Sequence, residues 1–360
     1  MKKMSFDDIF NDVTRLGTKI PKDRYLSEGA FPVIDQGQEF IAGYVNSETG
    51  IFNSVPVVVF GDHTRILKYI DFPFFLGADG VKVLTVNKLN CLPKYAYYAL
   101  KSARIPDTGY NRHFKWLKEM EFTVIPRTEQ EKIVKSLDSI CHLITLKKKQ
   151  LNKLDKLASS RFSEMFGRMP RNEKHWTVVT IRDVVTEVRY GSSRPAVENG
   201  QYPYLRMNNI TYSGELDLSE IKRINVPDNE LSKCTVRRGD VLFNRTNSKE
   251  LVGKTCVYNR DEMMVLAGFV IRIRLDHEKM LPEFLSAFLN TDFSKQMLLN
   301  MCKTAIGQAN INAQELQNIS VFLPPLQLQK DFVAIKQQLD KSKVICNKMH
   351  KMVEFSLFRV

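Results

Sequence analysis

No two cysteines of this chain stand close enough to form a Cys-x-x-Cys pair. The six are scattered at Cys91, Cys141, Cys234, Cys256, Cys302 and Cys346. That spacing excludes a zinc ribbon and leaves them as small thiols of a reducing compartment. Long apolar runs are missing too. The longest, Met263 to Ile271, is far too short to span a bilayer. Asp7 and Asp8 fall where a signal peptide would need apolar residues, so a bacterial or archaeal cytoplasm is expected. Catalytic signatures are absent as well. There is no Asn-Pro-Pro-Phe-like motif or cofactor glycine loop of a methyltransferase. Gly253-Lys254-Thr255 resembles the end of a phosphate-binding loop, but Ser248 stands where the first glycine belongs and no helix start is expected after it. Pro106-Asp107 and Pro227-Asp228 lack the nearby acidic-x-Lys of a common nuclease core.

What the chain has is positive charge. Its net charge is +13 and its pI about 9.3, a field that draws polyanions. Nucleic acid is the leading partner, because neutralised phosphates release counterions. A membrane surface is the alternative. Hydrophobic residues make up 43% of the 360 residues, enough for two or three packed domains.

The chain is also a repeat. Pro126 and Pro325, Gln130 and Gln329, Ile133 and Phe332, Leu117 and Leu316, and Asn111 and Asn310 all share an offset of 199. Upstream, Leu92-Pro93-Lys94-Tyr95 matches Leu281-Pro282-Glu283-Phe284 at 189. The second copy therefore carries about ten more residues between these blocks, the size of a loop. Each copy reads as mixed α/β. Val55–Phe60, Val81–Val86, Asp240–Phe243 and Val270–Leu275 have strand character. Each Leu-Pro opens a helix with proline in its favoured early position.

Each copy ends in a long helix. After Pro126 neither proline nor glycine occurs until Gly167, which allows about 60 Å of helix. Its apolar positions are Ile133, Leu137, Ile140, Ile144, Leu151, Leu154, Ala158 and Met165, with Lys147 as a gap. After Pro325 the series is Leu328, Phe332, Ile335, Leu339, Ser342, Cys346, Met349 and Val353. Steps of three and four are a coiled-coil signature. The expectation is that the two helices pair and separate two globular units, rather than each lying on its own domain. Lys147-Lys148-Lys149 reads as a solvated face.

The runs PVIDQGQEFIAGYV from Pro32, FGDHTRILKYIDFPFFLGADGVKVL from Phe60, GYNRHFKWLKE from Gly109 and GDVLFNRTNSKELVGKTCVY from Gly239 resemble target recognition domains of type I restriction–modification specificity subunits. The helix start at Pro324 and SRFSEMFG from Ser160 are similar to that family's spacer helices. Arg127-Thr128 departs mildly from the usual Pro-Leu. The resemblance implies two recognition domains joined by an antiparallel helix pair, each reading one half of a split double-stranded DNA site. It implies two modification (methyltransferase) subunits and two restriction (translocase–nuclease) subunits as partners. S-adenosylmethionine, ATP and Mg are then expected on those partners, with none bound by this chain. The domains expected are residues 1–126, a spacer helix 127–168, residues 169–324 and a second spacer helix 325–360.

The candidate DNA contacts are loop residues able to read bases or hold phosphates. In the first copy they are His63, Thr64, Arg65, Lys68, Tyr110, Asn111, Arg112, His113 and Lys115, with Phe114 and Trp116 assigned to the core. In the second they are Arg194, Arg206, Asn208, Asn209, Asn244, Arg245, Thr246, Asn247, Lys249, Gln308 and Asn310. Gly191-Ser192-Ser193-Arg194-Pro195 could hold a phosphate on its backbone N–H groups. The plainer alternative for each is a polar or Asx turn satisfying its own backbone. Two other functions stay open at this point: a stand-alone DNA-modifying enzyme, and a basic coiled-coil adaptor that binds nucleic acid without sequence preference.

Overall fold

The structure is a computed structural model. It describes residues 2–357 except Ala78, Asp79, Asp107, Tyr110, Ile306 and Gly307; for 303–305, 308 and 350–357 it describes the backbone alone. The chain divides into two compact units, 1–146 with 350–360, and 147–349. The fold is mixed α/β.

The duplication predicted from sequence is repeated in the strand pairing. In the first unit Lys2–Ser5 pairs with Glu121–Val124, and a four-stranded sheet runs in the order Phe10–Asp12, Val81–Val86, Val57–Gly61, Leu67–Ile70. In the second, Thr177–Thr180 pairs with Ser320–Leu323, and the sheet runs Val185–Tyr190, Val270–Leu275, Val241–Asn244, Thr255–Val257. Each unit adds a smaller sheet containing one parallel pair, Phe31–Ile34 with Phe75–Leu76, and Tyr202–Leu205 with Met264–Leu266.

The central strand of each large sheet is buried on both faces, which is why it reads as an apolar run. Side-chain alternation sends Val58 and Phe60 into one core and Val57 and Val59 into another. Val241 and Phe243 likewise separate from Leu242. The Leu-Pro helices form as expected, at Pro93–Ser102 and Pro282–Leu289.

The glutamines of the repeat have one physical role in both copies. Gln130 stands in the first turn of the long helix Arg127–Phe166. Its Oε1 accepts from the Leu92 N–H at 2.8 Å, and its Nε2 donates to the Ile125 carbonyl at 2.8 Å. Gln329, in the helix Leu326–Leu357, accepts from the Leu281 N–H at 2.9 Å. It also donates to the carbonyls of Pro324 and Lys279. Each amide thus satisfies the open N-terminus of the Leu-Pro helix and fixes the entry of the long one. Gln329→Ala strands these groups in the interior. It is expected to lower stability by about 3 kcal/mol, seen as a lower urea midpoint; an unchanged midpoint would contradict the role.

The first long helix stops at Phe166, where Gly167 adopts φ +77° and its N–H still bonds to the Ser163 carbonyl, a glycine stop. In the second unit the two long helices run antiparallel. Phe162 lies 5.3 Å from Phe332 between ring centres, Asp155 meets Lys343, and Lys147 and Gln150 meet the Cys346 thiol. Phe166 and Phe284 complete the aromatic cluster at one end. The seam departs from expectation at two places. Met349 is exposed; Ser342 is exposed too, and Lys343 is buried in its stead, because its ammonium reaches carboxylates on both helices. The predicted seam residue Val353 lies outside the described side chains. All six cysteines are free. No helix among the described residues is long and apolar enough to cross a membrane.

Candidate nucleic-acid interface

In the first unit the loop after Val57–Gly61 is built as a closed turn. The Gly61 N–H bonds to the Ile66 carbonyl and the Arg65 N–H to the Gly61 carbonyl. Closing this tightly puts Arg65 at φ +60°. Thr64 Oγ1 donates to the Gln36 carbonyl at 2.6 Å, and Gln36 Oε1 accepts from the His63 N–H. Asp62 joins this loop to the second candidate run. Its carbonyl accepts from the His113 N–H at 2.8 Å, and its carboxylate accepts from the Phe114 N–H at 2.8 Å. That carboxylate caps the short helix Phe114–Lys118. The His63 ring stands 3.2 Å from the Asn111 carbonyl. Two segments about fifty residues apart thereby become one surface, with Thr64, Asn111, Arg112 and Lys115 exposed and His63 and Arg65 half-buried.

Two first-copy candidates are corrected. Lys68 is buried: its Nζ donates to the carbonyls of Asp35 and Glu39, beside the Asp35 carboxylate. Burial pushes its ammonium below the ordinary lysine value. His113 is buried too, with Nδ1 3.0 Å from the Asp62 carbonyl. Both act within the fold. Phe114 is core as expected, whereas Trp116 is half-buried under the Lys115 ammonium. Asn111 does not cap the helix; its Nδ2 bonds to the Thr108 carbonyl. Tyr110 lies outside the described residues.

In the second unit the equivalent loop follows Val241–Asn244. The Arg245 N–H bonds to the Phe269 carbonyl, and the Arg245 carbonyl accepts from Ile311. Its guanidinium carbon lies 4.9 Å from the Tyr190 ring centre, a cation–π stack. The Tyr190 hydroxyl accepts from the Ala313 N–H, so the platform is itself fixed. Arg245 Nε is buried with no hydrogen-bond partner among the described residues. Tyr190 is 44% exposed, and Phe269 is 52% exposed on a turn held by the Gly268 N–H to Ser192. Neither aromatic was expected from sequence; an aromatic directly before a glycine at a strand end, as in Tyr190-Gly191, is the signal that could have marked Tyr190. Thr246–Asn247 pairs with Gln308–Asn310, so four more candidates lie on these two strands.

Burial removes several second-copy candidates from solvent. Asn209 donates to the carbonyls of Asp217 and Glu220 and accepts from the Arg206 N–H: its amide is spent on nearby backbone, closing the start of the short turn Met207–Asn209. Asn244 is fully buried. Thr246 is buried and donates to Asn310 Oδ1 at 3.1 Å, so both are engaged with each other. Arg206 is half-buried; Asn208 and Lys249 are exposed, and Asn247 is half-buried with Oδ1 on the Ser248 N–H. Arg194 forms a two-pronged pair with Glu230. The N–H groups of Gly191, Ser192 and Arg194 are all used internally, which overturns the phosphate cradle there. The side chain of Gln308 lies outside the described residues. Lys254 is buried against the Met207 carbonyl and is followed by the strand Thr255–Val257, so Gly253-Lys254-Thr255 is no phosphate-binding loop.

The family model described as "Type I restriction modification DNA specificity domain" matches residues 1–156 and 173–354. The chain is 24% identical over 230 residues to the type I restriction enzyme EcoKI specificity subunit of Escherichia coli K12, covering 59% of this chain and 49% of that protein. It is 23% identical over 352 residues to the EcoR124I/EcoR124II specificity subunit of Escherichia coli, covering 88% of this chain and 81% of that one. The match to the EcoKI subunit thus spans about half of that relative's length. Among solved structures, the S subunit of a type I restriction-modification system from M. genitalium shares the fold, with a TM-score of 0.59 at 16% identity over 99% of this chain and 93% of that one. The two matched stretches contain the two copies of one frame, and the chain belongs to the family of type I restriction modification DNA specificity domains.

Proposed function

We propose that this chain reads a bipartite, asymmetric double-stranded DNA target as the specificity subunit of a type I restriction–modification enzyme in the cytoplasm. One observation carries the reading. Each copy of the same frame presents, directly after its doubly buried strand, a different set of polar side chains on rigidly bonded backbone. A shared frame with unlike loops suits two unlike half-sites. The partners are double-stranded DNA, two modification (methyltransferase) subunits and two restriction (translocase–nuclease) subunits. The chemistry, with its S-adenosylmethionine, ATP and Mg, belongs to those partners, and this chain contributes recognition without a catalytic centre. Competition binding of the full chain against a split duplex and shuffled competitors tests it; equal binding to all would defeat it.

Arg245 is the residue best prepared for base reading. Stacking on Tyr190 leaves a pre-oriented fork that matches guanine O6 and N7. Arg245→Ala and Arg65→Ala are expected to relax specificity in different half-sites, each by about 1–3 kcal/mol at one position. A uniform loss across sequences with a lower salt slope would make either one a phosphate contact instead.

A further inference from the structure

The segment Thr211–Glu215 of the second unit is a closed turn. The Thr211 N–H bonds to the Glu215 carbonyl at 2.9 Å, the Gly214 N–H to the Thr211 carbonyl, and the Glu215 N–H to Thr211 Oγ1. The turn sits tightly on its domain. Gly214 is at φ +83°, and a Cβ there would stand 2.8 Å from the Thr255 carbonyl oxygen and 2.5 Å from Asn290 Nδ2. The Tyr212 ring lies 4.8 Å from Lys295 Nζ. The last residue of the turn, Glu215, meets Lys343 of the second long helix at 3.2 Å. The same ammonium is 2.5 Å from Asp155 of the first long helix and 3.8 Å from Asp340 of its own. The Lys343 side chain is 11% exposed, so the ammonium end of these contacts is withdrawn from water. One side chain therefore ties a recognition domain to both helices. At the offset of 199 the first copy has Ile144, which cannot make such a tie.

We infer that Lys343 is a positioning residue that fixes the second recognition domain on the helix pair and so sets how strictly the distance between half-sites is read. This rests on the proposed reading of a split DNA site. One added base pair moves a half-site about 3.4 Å along the duplex and turns it by about 34°. A domain locked on its helices rejects that displacement; a domain free to swing accepts it. Without the ammonium, three carboxylates face one another and repel at the junction. Asp155, Glu215 and Asp340 are each 40–46% exposed, so water can solvate them and the fold can persist.

The test uses the full chain co-expressed with its methyltransferase subunit, with modified bases mapped genome-wide. Lys343→Met should keep both half-site sequences but lower the preference for the native spacer over one a base pair longer or shorter by about tenfold. Lys343→Arg, which keeps the charge, should restore strictness. Glu215→Gln weakens only the arm to the domain and leaves the helix-to-helix bond, so it carries the test if Lys343→Met does not fold; the same broadening is expected. Native strictness in folded Glu215→Gln, or altered half-site bases in Lys343→Met, would overturn the inference. A wild-type chain that directs modification to no split site would instead defeat the proposed function.

Discussion

One extra helical turn placed in both long helices will move the preferred spacer by about one to two base pairs and remove modification at native sites. Four residues add about 6 Å, against about 3.4 Å per base pair. The antiparallel contacts of the second unit say where the turns must go. Asp155 faces Lys343 and Lys147 faces Cys346, so insertions after Leu154 and after Lys343 stand opposite each other. They leave the tie to Glu215 and the Phe162–Phe332 contact on one side of the new turns. A one-sided insertion would mismatch the seam and mainly destabilise it. The half-site bases should not change, because the loops after Gly61 and Asn244 are untouched. A folded, active variant with the native spacer would show that the helices do not set the distance.

Glu187→Gln will destabilise the second unit by about 3–5 kcal/mol, the usual result of stranding a buried charge. Arg272 is 1% exposed and sits in the large sheet between core residues Ile271 and Ile273. Its guanidinium is held by Glu187 at 2.7 Å and by the Thr235 carbonyl. Glu187 also pairs with Arg274 and Arg189, and Asp240 takes Arg274 from the other side. Losing the Glu187 charge leaves Arg272 without a direct counter-ion in the interior. Arg272→Met removes the desolvated charge itself, leaves Glu187 with two arginines, and should cost less. Urea unfolding of the two variants decides the order; a more harmful Arg272→Met would refute this account. The network also sets a pH dependence. Burial alone would raise the Glu187 carboxyl, but Arg272, Arg189 and Arg274 together hold it below its ordinary value of 4.5. Its contribution is therefore complete above that value and is lost as the pH falls through the lowered native one. In Glu187→Gln this acid-side loss should shrink.

Periodicity and proline placement made the frame legible. The doubly buried strands, the Leu-Pro helices and the long helices all follow from local pattern, and the repeat told that one pattern applied twice. The polar residues were less legible, because their burial and partners are set by how the loops fold rather than by local pattern. Lys68 looks like a phosphate contact until the chain from Asp35 to Glu39 folds over it. Asn209 and Asn244 have the chemistry of adenine readers, yet folding spends or buries it. Lys343 broke an apolar rhythm that fitted Ser342, since two carboxylates from distant segments, Asp155 and Glu215, with Asp340 of its own helix, outweigh the cost of burying an ammonium there. Tyr190 was hidden for the opposite reason: an aromatic at a strand end reads as core until its exposed face is found carrying Arg245.

The central claim is that two copies of one frame read two different half-sites. The most direct measurement is a domain exchange: residues 173–324 replaced by the matching stretch of a relative, co-expressed with the methyltransferase subunit, with modified bases mapped across a genome. The account predicts a split, asymmetric target in which one half changes and the other half keeps its sequence. A continuous or palindromic motif, or a change in both halves at once, would contradict it.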